Sequence, residues 1–285
     1  MSARIVGATV LILLLINIII WCALIINDTQ GHLTVSFLDI GQGDATFITA
    51  PSGVQVLIDG GKNREVLRQL SQVLPWYDRS IDLVLATHPD ADHIGGLPDV
   101  LARYRVAHIA RSSVEDDGTD QVVFMGAVEK EKGEGAAELI AERGQIIDLG
   151  DGAYLEILFP DRSVPKIETN TGSVVARLVY GDTSFMLTGD SPQSIEEYLV
   201  GLDPEALDSD VLKVGHHGSR TSSSPLFVGF VSPEYAVISR GCDNTYGHPH
   251  EEVTALFKRF EVETLDTCTD GAVTFVSDGN TVRRY

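Results

Sequence analysis

The densest chemistry in the 285-residue sequence lies in His88-Pro89-Asp90-Ala91-Asp92-His93, where two imidazoles and two carboxylates fall within six residues. Imidazole and carboxylate are the usual nitrogen and oxygen donors to divalent metals, and a short loop ended by Gly95-Gly96 lets them converge on one point. Crowded carboxylates raise each other's pKa unless a cation offsets them, so the hexad predicts a metal site. Three further patches carry matching donors. Asp190 ends the apolar run of Leu187-Thr188-Gly189-Asp190. His216 and His217 sit in Lys213-Val214-Gly215-His216-His217-Gly218-Ser219. His248 and His250 lie in Tyr246-Gly247-His248-Pro249-His250. Alone, each has an ordinary explanation: a turn, a surface loop, and a helix entry with proline in its first turn.

These patches need elements to bring them together, and the pattern from His32 onward is that of an α/β protein. Residues 33–38, 45–49 and 54–58 read as strands that end at Asp59-Gly60-Gly61, with Pro51-Ser52-Gly53 as a turn. A helix with one apolar face is expected over 65–73. Residues 81–86 form a short apolar run, the mark of a strand covered on both faces, and deliver His88 to its loop. A helix follows Gly95-Gly96 toward Tyr104, and 106–110 is strand-like. The acidic stretch 114–142 reads as a surface excursion, partly helical. Strands are then expected at 154–159, at 174–180 and 184–187 around the favoured turn pair Gly181-Asp182, and at 211–214 and 235–239. A helix near 251–260 and a hairpin about Asp278-Gly279-Asn280 close the chain. No solenoid-type repeat is present.

Together these motifs resemble the metallo-β-lactamase fold, and more closely the hydrolase-like domain of the ComEC competence-protein family. The resemblance rests on residues 37–44 (Phe-Leu-Asp-Ile-Gly-Gln-Gly-Asp), Leu57-Ile58-Asp59-Gly60-Gly61, the hexad, and the three later patches, and it spans nearly all of 32–285. It implies a four-layer αββα sandwich over 32–285; the one transmembrane helix expected before it, at 1–27, rests on the apolar run 5–26. It implies His88 and Asp90 on a first metal, Asp92 and His93 on a second, Asp190 bridging, and His216 or His217 completing the set. Asp90 stands where most of the superfamily has histidine. The middle histidine ligand has no counterpart, Asn170 being the nearest donor in its region. Asp59 would orient a ligand histidine from behind.

The implied cofactor is two divalent ions, Zn²⁺ or Mn²⁺, the carboxylate at Asp90 hardening the site toward Mn²⁺. Such a pair lowers the pKa of a shared water to yield a nucleophile, with Asp92, His217 and His248 as candidates for catalysis. Ser219, Arg220, Thr221, Ser222 and His250 could hold an anionic group of the substrate, although the same loop could equally be a helix cap. Lys213 reads as structural. The expected activity is a phosphodiesterase or nuclease on single-stranded DNA, linked to DNA uptake. A small-molecule esterase or lactonase and a non-catalytic DNA-uptake module are the alternatives.

Composition weighs against a broad nucleic-acid surface. Lys and Arg number 21 against 41 Asp and Glu, a formal net charge of −20, whereas phosphate contacts are normally made by basic side chains. Residues 5–26 are almost purely apolar, about the ~20 residues that cross a hydrocarbon core, and no small-x-small cleavage site follows. Arg4 before the run and Asp28 after it place the rest outside the cytoplasm. With a single apolar span the chain is expected to work beside a separate channel protein or as a lone surface hydrolase. Cys242 and Cys268 are either a disulfide or two free thiols.

Overall fold

The computed structural model describes residues 3–29 and 31–285; the side chains at 1–4, 8 and 22–30 lie outside the described set. Its elements run α1 (Ala3–Thr29), β1 (Leu33–Phe37), β2 (Thr46–Thr49), β3 (Gln55–Ile58), α2 (Glu65–Val73), β4 (Ser80–Ala86), α3 (Ala91–Ile94), α4 (Leu97–Arg103), β5 (Arg105–Arg111), α5 (Thr119–Glu134), β6 (Ala137–Ile140), β7 (Ile146–Gly150) and β8 (Ala153–Phe159). The second half continues with β9 (Val175–Tyr180), β10 (Thr183–Leu187), α6 (Gln193–Leu202), β11 (Val211–Lys213), α7 (Pro225–Val231), β12 (Tyr235–Ile238), α8 (Glu251–Arg259), β13 (Glu263–Asp266), α9 (Thr267–Asp270), β14 (Val273–Ser277) and β15 (Val282–Arg284).

The strands form two sheets, ordered β15-β14-β1-β2-β3-β4-β5-β6 and β13-β12-β11-β10-β9-β8-β7. Side chains alternate across a strand with period two, so each sheet has two apolar faces to cover. Val56 and Ile58 of β3 join Phe185 and Leu187 of β10 in a core between the sheets, while Leu57 of β3 packs under Val66, Leu97, Val100 and Phe124 of the helices. On the second sheet Met186 and Leu212 are covered by Leu199, Phe227, Val253 and Phe257. The result is helices, sheet, sheet, helices.

Strand direction fixes where chemistry can gather. β1 and β3 are both antiparallel to β2, and β3, β4 and β5 are mutually parallel. In the second sheet β10, β11 and β12 are parallel. β1, β3, β4 and β5 therefore end at one edge of the first sheet, and the approach of His93 to Asp190 sets the ends of β10 and β11 beside it.

Two regions differ from the sequence expectation, and one open alternative is decided. The stretch 114–142 holds a 16-residue helix, α5, and the sheet strand β6; only Phe124 and Val128 anchor its apolar side, and Val122 and Val123 are exposed, so its periodicity is weak. β7 and β13 extend the second sheet as edge strands, and edges need few buried side chains to pair. Cys242 and Cys268 form a disulfide. The expected membrane anchor lies partly outside the described side chains. Those described within α1 are exposed, and no described stretch is long and apolar enough to cross a membrane.

Candidate metal centre

β1, β3 and β4 deliver Asp44, Asp59 and His88 to the shared edge, and β10 and β11 deliver Asp190 and His217 from the other sheet. The single turn α3 then presents Asp92 and His93. Its fit against residues 41–44 depends on Gly43 (φ +125°), where a Cβ would collide with the Asp92 carbonyl. That closeness allows Asp44 N to donate to Asp92 O at 3.1 Å. The His pair is aimed by an unusual backbone. His216 (φ 48°, ψ 46°) and His217 (φ 55°, ψ 25°) are both left-handed, a conformation costing about 1–3 kcal/mol per residue unless the surroundings impose it. The two strained residues turn their side chains apart, His217 inward and His216 to the rim.

Four imidazoles are held in the same tautomer. His93 Nδ1 donates to Asp59 Oδ2 at 2.8 Å, and His217 Nδ1 to Ser239 O at 3.0 Å. Thr87 Oγ1 donates to Asp59 Oδ2 at 2.7 Å, so it accepts from His88 Nδ1 at 3.0 Å. By the same logic Thr221 Oγ1, donating to Ser219 Oγ at 2.9 Å, accepts from His216 Nδ1 at 3.0 Å. Each Nε2 is thereby left with its lone pair free, the arrangement that outer hydrogen bonds impose on metal-ligating histidines.

These lone pairs converge. His93 Nε2 lies 3.3 Å from Asp190 Oδ2, and His217 Nε2 lies 3.3 Å from Asp92 Oδ2 and 3.4 Å from Asp190 Oδ2. His88, His93 and Asp190 form one compact donor set, and Asp92, His93 and His217 another. Although so close, His88 Nε2, His93 Nε2, His217 Nε2 and Asp190 Oδ1 are buried without a hydrogen-bond partner, which is costly for polar atoms with nothing to bind. Five carboxylates (Asp44, Asp59, Asp90, Asp92, Asp190) face one ammonium, Lys213. With the imidazoles neutral, as metal ligation requires, that leaves four formal negative charges, which two divalent cations would offset. The donor set fits two such ions.

Not every sequence candidate reaches this cluster. Asp90 is half-buried and stands apart from the compact sets, its Oδ2 3.7 Å from His88 Nε2. His216 sits at the rim, its Nε2 3.8 Å from Asp190 Oδ2. Asn170 lies in the turn 170–172 with its Oδ1 buried and unpartnered. His248 is buried against the rings of His216 and His217, at 5.7 and 6.4 Å between centroids. Burial and then the charge of His217 push its pKa down to about 4, so the ring is neutral. Of the loop after His217, Arg220 and Thr221 are exposed, and His250 Nδ1 accepts from Arg220 N at 3.1 Å. Ser222 differs from expectation: fully buried, it donates to Ser191 O at 2.7 Å and ties the loop down. Ser219 is buried too, and Ser224 caps α7 by accepting from Phe227 N at 3.2 Å.

Asp44 is the member that sequence reasoning passed over, and Lys213, read as structural, is its partner. Lys213 Nζ ion-pairs with Asp44 and reaches Gly189 O at 3.2 Å and Asp190 Oδ1 at 3.8 Å. Burial alone would lower its pKa, but Asp44 and Asp190 outweigh it and hold the ammonium charged. The signal was the Gly-Gln-Gly-Asp turn, whose glycines permit the approach to the hexad.

Protons compete with cations for these nitrogens. Burial draws His217 down, yet Asp190 and Asp44 raise it to about 9, and His93 is held well above its ordinary value by Asp190 and Asp59 against the same burial. A folded pKa raised above the unfolded value near ~6.5 gives stability that is present below that value and lost as pH rises through about 9. Metal ligation needs neutral imidazole. Chelator-stripped protein titrated with Zn²⁺ at neutral pH is therefore expected to release protons, with affinity tightening toward pH 9. Calorimetry in buffers of different ionisation enthalpy measures this; equal heats in all buffers would show that the histidines are already neutral.

A sandwich of two sheets with this His/Asp edge defines a class, and the chain belongs to the metallo-β-lactamase superfamily, whose family model matches residues 38–241. Among individual proteins it is similar to ComE operon protein 3 of Bacillus subtilis (strain 168), 31% identical over 259 residues covering 85% of this chain and 32% of that protein. It is also similar to competence protein ComA of Neisseria gonorrhoeae, 32% identical over 250 residues covering 86% of this chain and 32% of that one. The chain thus spans about a third of the length of these relatives. The fold is shared with the diiron β-hydroxylase CmlA of Streptomyces venezuelae (TM-score 0.54, 13% identity, 89% of this chain and 54% of that one). It is shared also with Zn²⁺-bound PqqB of Methylobacterium extorquens (TM-score 0.52, 10% identity, 82% and 97%).

Proposed function

We propose that this chain is a metal-dependent phosphodiesterase that cleaves single-stranded DNA outside the cytoplasm, with α1 as its membrane anchor and a separate channel protein as its partner in DNA uptake. The observation that carries the hydrolase reading is the convergence of three buried, unpartnered Nε2 atoms and Asp190 in one compact set of His and Asp donors. His88 and Asp90 would hold one ion, and Asp92, His93 and His217 the other, with Asp190 between them. When bound, two divalent ions, Zn²⁺ or Mn²⁺, supply Lewis acidity and make water a nucleophile near neutral pH.

The chain's own residues supply orientation. Asp59, Thr87 and Ser239 O lock the ligand rings, so little reorganisation remains at the moment of reaction. His248 is neutral and its buried Nδ1 is unpartnered; packed on the rings of His216 and His217, it fixes the rim of the site. An open groove of about 530 Å³ is lined by Arg220, His250, Glu251 and Glu252. Exposed Arg220 suits a backbone phosphate. The similarity to proteins named for competence supports a DNA substrate. Glu251 and Glu252 in the same groove favour a second reading, an esterase or lactonase on an uncharged small molecule.

The test is metal content and turnover of the full chain on a single-stranded oligonucleotide, a phosphodiester chromogen and a lactone panel, with Zn²⁺ and Mn²⁺ in turn. Near two ions per chain with phosphodiester turnover supports the proposal. Lactone turnover alone would move the assignment to the second reading. Neither metal nor turnover would leave a binding module on a hydrolase fold.

A further inference from the structure

The sheet direction that gathers the metal centre at one edge leaves the opposite edge to α1. The chain leaves α1 at Thr29 and enters β1 at Leu33, beside Tyr180, whose hydroxyl donates to Gly31 O at 3.0 Å. β4 runs parallel to β3, which runs in the same direction as β1. The loop before β4 therefore lies at the same edge as the end of α1. That loop carries Trp76 and Tyr77, 85% and 70% exposed, packed edge to face with centroids 5.8 Å apart. Three strand spacings of ~4.8 Å separate β1 from β4, so the pair stands roughly 14 Å from the α1 junction. β4 itself is seven residues long, which at ~3.3 Å per step sets the pair about 20 Å below His88.

An exposed indole beside an exposed phenol leaves much apolar surface in water at one loop tip. Both side chains have an apolar body and a polar tip, the combination favoured at the membrane–water interface. Arg79, Arg103 and Arg105 surround the loop, exposed and without an ion pair among the described residues. In α1 every described large apolar side chain from Ile5 to Trp21 is exposed. Its polar members Thr9 and Asn17 turn back onto Ile5 O and Leu13 O at 2.9 and 3.3 Å, each placing a donor on a carbonyl within the helix, as hydrocarbon favours.

We infer that the Trp76–Tyr77 loop is a second membrane contact, seated in the headgroup region of the bilayer that holds α1, so that the metal centre faces away from the membrane. This rests on the anchor reading of α1. The lipid is zwitterionic, because Asp148, Asp151, Asp182 and Asp278 are exposed at the turns of the same edge and would repel an anionic surface. With a tether and a second contact beside it, the domain is held in one orientation and its groove opens to the aqueous side.

The two tryptophans, Trp21 and Trp76, allow each claim to be read alone. In the full chain carrying Trp21→Phe, reconstituted in phosphatidylcholine vesicles, Trp76 emission is expected to shift to the blue. A nitroxide near the headgroup should quench it severalfold more than iodide in solution. Trp76 emission that stays red and fully open to iodide overturns the interface contact. The chain carrying Trp76→Phe reports the anchor: Trp21 quenched by a nitroxide deep in the acyl chain supports it. Trp21 untouched by that label refutes the anchor, whatever Trp76 shows.

Discussion

Replacing Asp190 by Ala is expected to abolish metal-dependent turnover, by about 10³-fold or more. Among the described residues Asp190 is the one carboxylate that approaches both ligand rings at Nε2: it lies 3.3 Å from His93 Nε2 and 3.4 Å from His217 Nε2. It is buried, and His217 and His93 hold its pKa well below the usual carboxylate range despite that burial, so it is available as an anion throughout the working pH range. Charge stabilisation by bound metal is worth several kcal/mol, and each ~1.36 kcal/mol is tenfold in rate. Metal content is expected to fall from two ions toward one or none. Arg220→Ala is the contrast: an exposed charge beside Glu252 at 3.5 Å should weaken substrate binding only a fewfold and leave metal content intact. An Asp190→Ala protein that kept both ions and more than a tenth of its rate would show that the ions sit elsewhere.

Lys213→Met is expected to be the most destabilising single change at the site. Its ammonium is buried, ion-paired with Asp44 and near Asp190. Removing one partner of a buried pair leaves the other charge uncompensated, at a cost of about 3–5 kcal/mol. For a domain of this size that is a fall in Tm on the order of 10 °C. The loss should be largest in chelator, where no divalent ion offsets the carboxylates, and smaller with Zn²⁺ or Mn²⁺ bound. Thermal unfolding of Lys213→Met with and without Asp44→Asn measures the coupling. The double variant should recover much of the loss. If the single change costs under ~1 kcal/mol in chelator, Asp44 is not a charge that Lys213 sustains.

Much of the site was legible because its donors are dense in sequence. Within six residues the hexad sets four metal-capable side chains on one turn, and the terminal apolar strands before Asp59, His88 and Asp190 announce where those residues emerge. Choosing between His216 and His217 was not possible from residue types: two adjacent histidines are chemically identical, and a left-handed backbone at both decides which ring turns inward. Ser222 has the composition of a substrate loop, yet its hydroxyl is spent on Ser191 O. Asp44 looked like part of a turn because its partners, Lys213 and His217, are more than 160 positions away along the chain. The pairing of Cys242 with Cys268 was open for the same reason, since only β12 lying beside β13 brings them together.

What the sequence determined by itself was therefore the local chemistry and the alternation that makes strands and helices, both of which act over a few residues. What the tertiary structure decided was convergence. Parallel runs in two separate sheets bring their ends to one edge, and only there do donors from both halves of the chain share a buried space. Burial removes water as their partner, which is why atoms unremarkable in sequence become a site whose charge calls for two cations.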